Sequence, residues 1–244
     1  MTASAFDEEK REIIKKLGQN IHLGSLSTEW IINACKYKYS YNFTWMGRPI
    51  IQFPQDIIAM QEILWQVKPD LIIETGIAHG GSLIFYASIL ELIGGDSQVL
   101  GIDIDIREHN RIEIEKHLMF KRITMIEGSS IDEGIARQVY QFAKDKKRVL
   151  LALDSNHTHD HVLGELQLYS HLVTKGSYVV VFDTIVEDMP PGSYPDRPWD
   201  KGNNPKTAVR EFLKNNDRFV IDKDIENKLL LTVAPEGYLK CIAD

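Results

Sequence analysis

From Asp70 onward, short apolar runs alternate with amphipathic stretches of helical length, and this alternation constrains the fold more than any other feature of the 244-residue chain. Short apolar runs of this kind favour strands buried on both faces, as in a parallel sheet covered by helices. The predicted strands are Leu71–Glu74, Val99–Asp103, Ile123–Ile126, Val149–Leu153 and Tyr178–Phe182. The predicted intervening helices are Ser82–Ile93, Glu108–Leu118, Asp132–Ala143 and Asp160–Leu172. The pattern predicts an α/β fold with a doubly wound, mostly parallel sheet.

The first part of the chain departs from this alternation. Residues 1–65 contain predicted helices at Glu8–Leu17 and Gln55–Gln66, on either side of an aromatic and polar segment, Tyr37–Phe53. We interpret this region as an N-terminal helical cap. It would cover a single α/β catalytic unit formed by residues 66–244, a size that commonly folds as one domain.

The last part of the chain is also irregular. Residues Thr184–Asn204 are rich in proline and glycine, and an irregular segment of that length in a compact domain is usually a lid, a binding loop or a disordered segment. A helix is predicted at Pro205–Asn215. Two strand-like runs follow, at Arg218–Ile221 and Leu229–Val233.

Composition limits the partners and the location. The chain has 35 acidic and 28 basic residues, a net charge of −7, so no nucleic-acid partner is predicted. Cys35 and Cys241 are the only cysteines and lie in unrelated contexts, which disfavours a disulfide or a cysteine zinc site. No apolar run is long enough to span a membrane and residues 1–16 lack a signal-peptide pattern, so a cytoplasmic location is predicted. The apolar cap is compatible with a homo-oligomer.

Glycines cluster directly after the first predicted strand. Glu74 ends that strand, and Gly76, Gly80, Gly81 and Ser82 lead into the next helix. Glycines let backbone N–H groups approach a ligand closely, and a helix N-terminus attracts negative charge. The spacing G-x-x-x-G-G suits an adenosyl amino acid, S-adenosylmethionine, better than a dinucleotide, whose pattern is G-x-G-x-x-G. A tight turn without a ligand is the alternative.

Polar residues at the next two strand ends extend this predicted cofactor site. Asp103 ends the second strand, where a carboxylate can accept hydrogen bonds from ribose hydroxyls, and Asp105 is the alternative. Ser129 and Ser130 follow the third strand, where the adenine edge would lie. Either serine can equally be the N-cap of the following helix.

Carboxylates also follow the fourth and fifth strands, at Asp154 and Asp183. Acids at the carboxyl ends of adjacent strands converge on one crevice, an arrangement that suits Mg²⁺. His157, in the loop after the fourth strand, is predicted to be the general base. Two alternatives remain. His157 and His161 have the i, i+4 spacing of zinc ligands but lack the H-E-x-x-H pattern, and Asp160 with its neighbours can simply cap the next helix.

Arg48, Arg197 and Trp199 are predicted to recognise the substrate. The proline-rich segment follows the fifth strand and so lies above the crevice. Trp199 has a structural alternative, in which it only anchors the loop against the core. The predicted substrate is a small hydroxylated molecule, such as a sugar, a polyketide-like compound or a glycolipid intermediate.

Several segments also form a joint pattern that is specific as a set. They are Asn42–Trp45, Gly47–Ile50, Glu74–Gly76, Gly80–Ser82, Gly101–Asp105, Arg197–Trp199, Asn204–Pro205 and Ala208–Val209. In these the chain resembles the cephalosporin hydroxylase family over residues 40–240. That family, despite its name, has a class I S-adenosylmethionine methyltransferase fold and includes rhamnosyl O-methyltransferase-like proteins. The resemblance implies an O-methyltransferase with a metal-supported site.

The resemblance also bears on the metal. Asp154 and Asp183 fall where related catechol-type and macrolide-sugar O-methyltransferases place metal-binding acids, and His157 falls near the base of the catechol-type enzymes. One departure matters, because the family often carries an acid immediately before the second Asp, where this chain has Phe182. Without a substitute for that acid the metal would bind weakly. The candidate substitutes are Asn156, Glu187 and Asp188.

Two other functional classes fit parts of the sequence. A non-haem iron hydroxylase would need two histidines and one carboxylate, for which His157, His159 and Asp154 are available, although that triad is normally carried on other folds. A non-catalytic nucleotide-binding subunit would keep the glycine loop and show no turnover. S-adenosylmethionine-dependent methylation with Mg²⁺ assistance is the prediction that accounts for the largest number of residues.

Overall fold

A seven-stranded sheet forms the centre of the computed structural model, which describes residues 3–244. The strands of the chain are β1 (Thr44–Trp45), β2 (Arg48–Pro49), β3 (Leu71–Thr75), β4 (Gln98–Asp103), β5 (Ile123–Glu127), β6 (Val149–Leu153), β7 (Tyr178–Val181), β8 (Phe219–Ile221) and β9 (Tyr238–Cys241). The helices are α1 (Ala3–Gln19), α2 (Ile21–Cys35), α3 (Pro54–Val67), α4 (Gly81–Ile93), α5 (Glu108–Glu115), α6 (Glu133–Ala143), α7 (His159–Tyr169), α8 (Pro205–Lys214) and α9 (Lys223–Leu229). The five strands predicted between residues 71 and 182 are confirmed.

The order of the strands in the sheet is β5-β4-β3-β6-β7-β9-β8. The first five run parallel, and β9 pairs antiparallel with both β7 and β8. Thr75, the last residue of β3, pairs with Ile102 on one side and with Leu153 on the other. The chain order reverses at this point, and in doubly wound sheets the ligand crevice lies beyond the carboxyl ends of the strands there.

Apolar layers cover both faces of the sheet. Ile72 of β3 belongs to a buried cluster with Leu64 of α3 and Phe85 of α4. Its neighbour Ile73 faces the other way and joins a second cluster with Leu166 of α7. Because successive side chains of a strand point to opposite faces, one apolar run serves both layers. The predicted doubly wound α/β fold is therefore confirmed.

The N-terminal region packs directly on this core. Ile31 of α2 is buried in the same cluster as α3 and α4. The short hairpin of β1 and β2 lies on α4, where the Trp45 indole donates a hydrogen bond to Ser88 and packs edge-on against Phe85. The boundary predicted between residues 65 and 66 falls inside α3, because the buried face of that helix continues to Val67. The division into a cap and a catalytic unit stays a prediction.

The prediction for the C-terminal edge is partly wrong. The strand-like run at 218–221 does contain β8, but Leu229–Val233 is not a strand. The edge of the sheet is β9 instead, which the sequence analysis missed together with α2 and α9. The physical reason is Asp56, a fully buried carboxyl in α3, which accepts hydrogen bonds from the Val233 N–H and the Thr232 hydroxyl and so holds that run against α3. Within residues 3–244, no helix combines the length and apolar character needed to cross a membrane.

A substitution at Gly81 tests the contact between the hairpin and α4. A Cβ on Gly81 would lie 2.1 Å from the carbonyl oxygen of Pro49, which is a backbone atom that cannot rotate away. We expect Gly81→Ala to lower the free energy of unfolding by about 1–3 kcal/mol, as overpacking does. The measurement is urea unfolding followed by circular dichroism.

Gly24→Ala is the matched control. Gly24 lies in α2 with no atom within 4 Å of a built Cβ, so alanine should stabilise the chain there by up to about 1 kcal/mol. Equal stabilities for Gly81→Ala and the native chain would contradict the close packing of β2 on α4.

Candidate active site

A cavity of about 850 Å³ opens at the carboxyl ends of β3, β6 and β7. The loop between β3 and α4, which we call the glycine loop (residues 76–80), forms one wall. The segment between α2 and α3 forms another, and the proline-rich segment after β7 covers the third side. The volume lies in the upper part of the range for small-molecule sites.

The glycine loop has a conformation that few side chains tolerate. Gly76 has φ +90°, and a Cβ there would lie 2.1 Å from the carbonyl oxygen of Asp154. Gly80 has φ +78°, and a Cβ there would meet the Ile114 side chain. The close approach of Gly76 to the β6 loop brings the two strand ends together. Glycine is therefore required at these positions for backbone reasons alone, whether or not a ligand is bound.

Asp103 anchors this loop. Its Oδ2 accepts hydrogen bonds from the backbone N–H groups of Ile77, at 2.7 Å, and Ala78, at 3.2 Å, and its Oδ1 accepts one from Asp105. A carboxylate offers about four acceptor sites, so roughly one remains on Oδ1 for a ribose hydroxyl. Asp105 is exposed and lies near Arg107. The geometry thus ties Asp103, and not Asp105, to the predicted cofactor loop.

Glu74 and Ser82 form a buried pair beneath the loop. The Ser82 hydroxyl donates to Glu74 Oε2 at 2.7 Å, while Glu74 Oε1 has no hydrogen-bond partner within residues 3–244. Burial raises the pKa of Glu74 to about 8, against the smaller opposing effect of the hydrogen bond from Ser82. Glu74 has no exposed surface, so it supports the loop from below, and Ser82 at the start of α4 reaches the cavity wall.

Ser129 and Ser130 have different surroundings. Ser130 is buried, and its hydroxyl donates to Glu165 at 2.6 Å and lies 3.0 Å from His161 Nε2. Ser129 is half-buried at the turn after β5. Neither serine is the N-cap of α6, because Asp132 accepts the hydrogen bonds of the first turn. Ser129 therefore remains the serine available to a ligand, while Ser130 belongs to a buried polar network.

Asp154, His157 and Asp183 converge in the cavity. Each offers a ligand atom within 4.8 Å of the others, and they form the one such group of three among the residues that the structure describes. His157 Nε2 lies 3.0 Å from Asp183 Oδ2. Asp183 has φ +53°, a left-handed conformation that is uncommon outside glycine and that aims its carboxylate at the group.

The charges of this group perturb one another. Burial raises the pKa of Asp154 well above its ordinary value, and the charge of Asp183 raises it further. Burial alone would lower the pKa of His157, but the charge and hydrogen bond of Asp183 and the charge of Asp154 outweigh that effect and raise it. Negative charge is therefore concentrated in a poorly hydrated place, which is the condition that a cation relieves.

The other proposed ligands lie elsewhere. Asn156 Oδ1 accepts the Thr158 N–H, Glu187 accepts hydrogen bonds from Gly202 and Asn204, and Asp188 pairs with Lys206. Phe182, in the position where the family often carries the third acid, is a buried apolar side chain and offers no ligand atom. Glu187 and Asp188 do not belong to the group of three, whereas Asn156 as a substitute stays a prediction.

The remaining histidines face away from the group. His159 lies against α8, with Nδ1 2.8 Å from the Thr207 hydroxyl and Nε2 3.3 Å from Glu211. His161 lies beside Ser130 and Glu165. Asp160 is exposed at the start of α7, which has no side-chain N-cap. The structure therefore brings together neither the zinc pair of His157 and His161 nor the iron triad containing His159.

The predicted substrate residues divide into two kinds. Arg197 and Trp199 line the cavity, where the guanidinium lies 5.2 Å from the Trp199 ring and that ring packs edge-on against His157 at 4.6 Å. Arg48 is not among the lining residues, because its guanidinium donates to the His79 carbonyl and to Asn110. Arg48 therefore holds the glycine loop in place.

Gln52 is a cavity residue that the sequence pattern did not predict. It lines the cavity and is only 2% exposed. The available signal was a polar residue in an apolar context, after Ile50 and Ile51 and just before the helix that begins at Pro54. The hydrophobic periodicity does not explain a polar side chain at this position. Because a buried amide needs a hydrogen-bond partner, such a residue indicates a site.

The chain has the features of a class I methyltransferase. They are a doubly wound sheet with an antiparallel strand next to its far edge, a glycine loop after the first core strand and an acid at the end of the second. The model of the Rhamnosyl O-methyltransferase/CmcI family matches residues 37–242, most of the chain. The chain belongs to this family, and it is an S-adenosylmethionine-dependent O-methyltransferase.

The chain is similar to curated relatives over most of its length. It is 32% identical over 202 residues to the Rhamnosyl O-methyltransferase of Mycobacterium bovis, covering 80% of this chain and 77% of that protein. The Mycobacterium leprae enzyme of the same name is 32% identical over 201 residues, covering 80% and 82%. These relatives support the O-methyltransferase over the iron hydroxylase and the non-catalytic subunit.

Solved structures show the same fold. CmcI in its apo form superimposes with a TM-score of 0.60 at 19% identity, over 84% of this chain and 78% of that one. CmcI with Mg and SAM gives 0.59 at 20% identity, over 83% and 78%. At these identities the likeness concerns the fold.

A pH series tests the burial of Glu74. Its pKa of about 8 in the folded chain lies above the value of about 4.3 expected when unfolded. The stabilising contribution of the protonated form is therefore complete below about pH 4.3 and is lost as the pH rises to about 8. Relative to Glu74→Gln, the free energy of unfolding of the native chain should fall with a slope approaching about 1.4 kcal/mol per pH unit.

The measurement is urea unfolding at several pH values between 5 and 8.5. Glu113→Gln removes an exposed acid of α5 as a control, and its pH profile should run parallel to that of the native chain. Parallel profiles for the native chain and Glu74→Gln would contradict a protonated Glu74.

Proposed function

We propose that the chain methylates a hydroxyl of a sugar-bearing small molecule, with Asp154 and Asp183 holding a divalent cation and His157 accepting the proton. One observation carries this proposal, namely that these three side chains converge in the cavity whose wall is the glycine loop. Methyl donor and acceptor would therefore meet at one place. The sugar acceptor is inferred from the curated relatives, which are named Rhamnosyl O-methyltransferases.

The donor set fits a hard divalent cation. Two carboxylates provide the oxygen ligands that Mg²⁺ prefers, and a bound cation offsets their mutual repulsion. The fold relative CmcI has been solved with Mg and SAM, which supports Mg²⁺ as the ion for this chain. When bound, the cation would act as a Lewis acid that makes an acceptor hydroxyl easier to deprotonate.

The cofactor would lie along the glycine loop. Its amino-acid carboxylate suits the N-terminal end of α4 near Ser82, where backbone N–H groups and the helix dipole favour an anion. The free acceptor site of Asp103 would take a ribose hydroxyl, and Ser129 would lie at the adenine edge. Bound S-adenosylmethionine supplies the methyl group on its sulfonium.

His157, Arg197 and Trp199 would contact the acceptor. Nε2 of His157 lies 3.0 Å from Asp183 and would donate to it, so Asp183 would stabilise the imidazolium formed when the other ring nitrogen, Nδ1, takes a proton directly or through water. Trp199 offers an apolar face and Arg197 several N–H donors, a combination that suits a polyhydroxylated ring. Because Trp199 touches His157, an acceptor held on it lies beside the base.

Methyl transfer from radiolabelled S-adenosylmethionine to a series of rhamnosides tests the proposal directly. We expect label in an acceptor with two adjacent free hydroxyls, loss of activity in EDTA and recovery with Mg²⁺. Full activity in EDTA would contradict the cation. Absence of transfer to every sugar, with transfer to a non-sugar hydroxyl, would contradict the acceptor class.

Substitutions at the acids separate the cation from the cofactor. Asp154→Asn and Asp183→Asn should each remove most of the methyl transfer and leave the affinity for S-adenosylhomocysteine within a few-fold, because these acids would contact the cation and the acceptor. Asp160→Asn, an exposed acid in the following helix, is the control and should keep full activity. A large loss of S-adenosylhomocysteine affinity in both Asp154→Asn and Asp183→Asn would place these acids in the cofactor site.

Calorimetry with S-adenosylhomocysteine tests the role of Asp103. Asp103→Ala should weaken binding by about 1.5–3 kcal/mol, because a charge-assisted hydrogen bond is lost and the glycine loop loses its anchor. Asp105→Ala should bind with nearly native affinity, since that side chain is exposed. Equal losses in the two variants would show that the ribose lies beyond the end of β4.

A further inference from the structure

Gln52 has an amide that nothing in the structure satisfies. Of residues 3–244, none provides a hydrogen-bond partner for its Oε1, and its Nε2 approaches Asp154 without forming a well-aligned hydrogen bond, although the side chain is only 2% exposed. An unpartnered polar group in such a place costs about 1–3 kcal/mol, so buried amides without a partner are rare in native proteins. The orphaned amide therefore indicates a partner that is not a protein side chain.

The backbone around Gln52 is strained and firmly held. Ile51 has φ +51°, a left-handed conformation that is a clear outlier for a β-branched residue. Ile50 and Phe53 on either side are buried, and the Ile50 N–H donates to the Phe43 carbonyl. Strain of this kind persists only when the surroundings impose it, and it concentrates at functional sites. The segment between β2 and α3 thus fixes Gln52 on the cavity wall.

Gln52 lines the same cavity as the two acids of the candidate metal group, Asp154 and Asp183. Its amide is close enough to Asp154 to favour the ionised carboxylate, although burial and Asp183 dominate the pKa of that group. Phe182 occupies the position of the expected third acid, and Asn156, Glu187 and Asp188 have other partners. An amide oxygen is a ligand that hard cations accept.

We propose that the side-chain oxygen of Gln52 is the third protein oxygen at the cation site, in place of the acid that Phe182 replaces. This inference rests on the cation of the proposed function. The segment between β2 and α3 would then supply this ligand, and the end of β7 would not. A neutral amide in place of a carboxylate leaves the site one negative charge lower, so the affinity for the cation depends more strongly on Asp154 and Asp183.

Binding of Mn²⁺ to the full chain tests the assignment without an acceptor substrate. Free Mn²⁺ is followed by electron paramagnetic resonance during a titration, and circular dichroism checks the fold of each variant. Gln52→Met keeps the size of the side chain and removes the oxygen, and it should weaken Mn²⁺ binding by about tenfold or more. Gln52→Glu restores a carboxylate oxygen and should bind at least as tightly as the native chain.

Gln55→Met is the matched control. Gln55 is an amide three residues further along, in the first turn of α3, and is not among the residues that line the cavity. Its variant should bind Mn²⁺ with native affinity. All variants should bind S-adenosylhomocysteine like the native chain, because Gln52 contacts the cation and not the cofactor.

The outcomes separate the two proposals. Native affinity for Mn²⁺ in Gln52→Met overturns the role of Gln52 and leaves the cation in place. No Mn²⁺ binding by the native chain overturns the cation and the inference together. If neither Gln52 variant folds, Mg²⁺ added to the native chain should shift the nuclear magnetic resonance signals of the Gln52 side-chain amide and leave those of Gln55 unmoved. Unmoved Gln52 signals overturn the assignment.

Discussion

The site depends on the close approach of Gly76 to the backbone of Asp154. At that point the carbonyl oxygen of Asp154 lies where any side chain at residue 76 would begin. The Asp154 N–H donates in turn to the Thr75 carbonyl, and the Phe182 N–H donates to that of Leu153, so the hydrogen bonding of the sheet continues past the strand ends. The glycine loop and the strand ends that carry Asp154 and Asp183 are therefore joined by backbone contacts, which would couple the proposed cofactor position to the proposed cation position.

This unit gathers carboxyl groups where water is scarce. Burial raises the pKa of Glu74, under the loop, and that of Asp154, so the fold holds these carboxyls in a place that disfavours their ionised forms. Such a site resembles other functional sites in giving up stability for pre-organisation. The left-handed backbone of Asp183 is a second example, because this unfavourable conformation directs a carboxylate into the site.

The sequence predicts the parts of this molecule that follow from local patterns. The parallel strands and the glycine loop are marked by apolar runs and by glycines at strand ends, and the acids Asp103, Asp154 and Asp183 follow from where those strands end. The failures have a common cause in long-range contacts. Val233 lies in an apolar run whose pattern predicts a strand, but its N–H donates to the carboxyl of Asp56, nearly 180 residues earlier in the chain. Arg48 was predicted to bind the substrate, but its guanidinium donates to the His79 carbonyl instead.

The same reasoning explains why the segments that define the acceptor site are the hardest to predict. The walls facing Asp154, His157 and Asp183 come from the stretch between α2 and α3 and from the proline-rich segment, neither of which has a repeating pattern. The proline-rich segment keeps its shape through its own hydrogen bonds, such as those that Glu187 accepts from Gly202 and Asn204. The stretch between α2 and α3 is also tied to the glycine loop, because Arg48 donates to the His79 carbonyl and Pro49 packs closely on Gly81 at the start of α4. The shape of this cavity wall is thus physically coupled to the loop after β3.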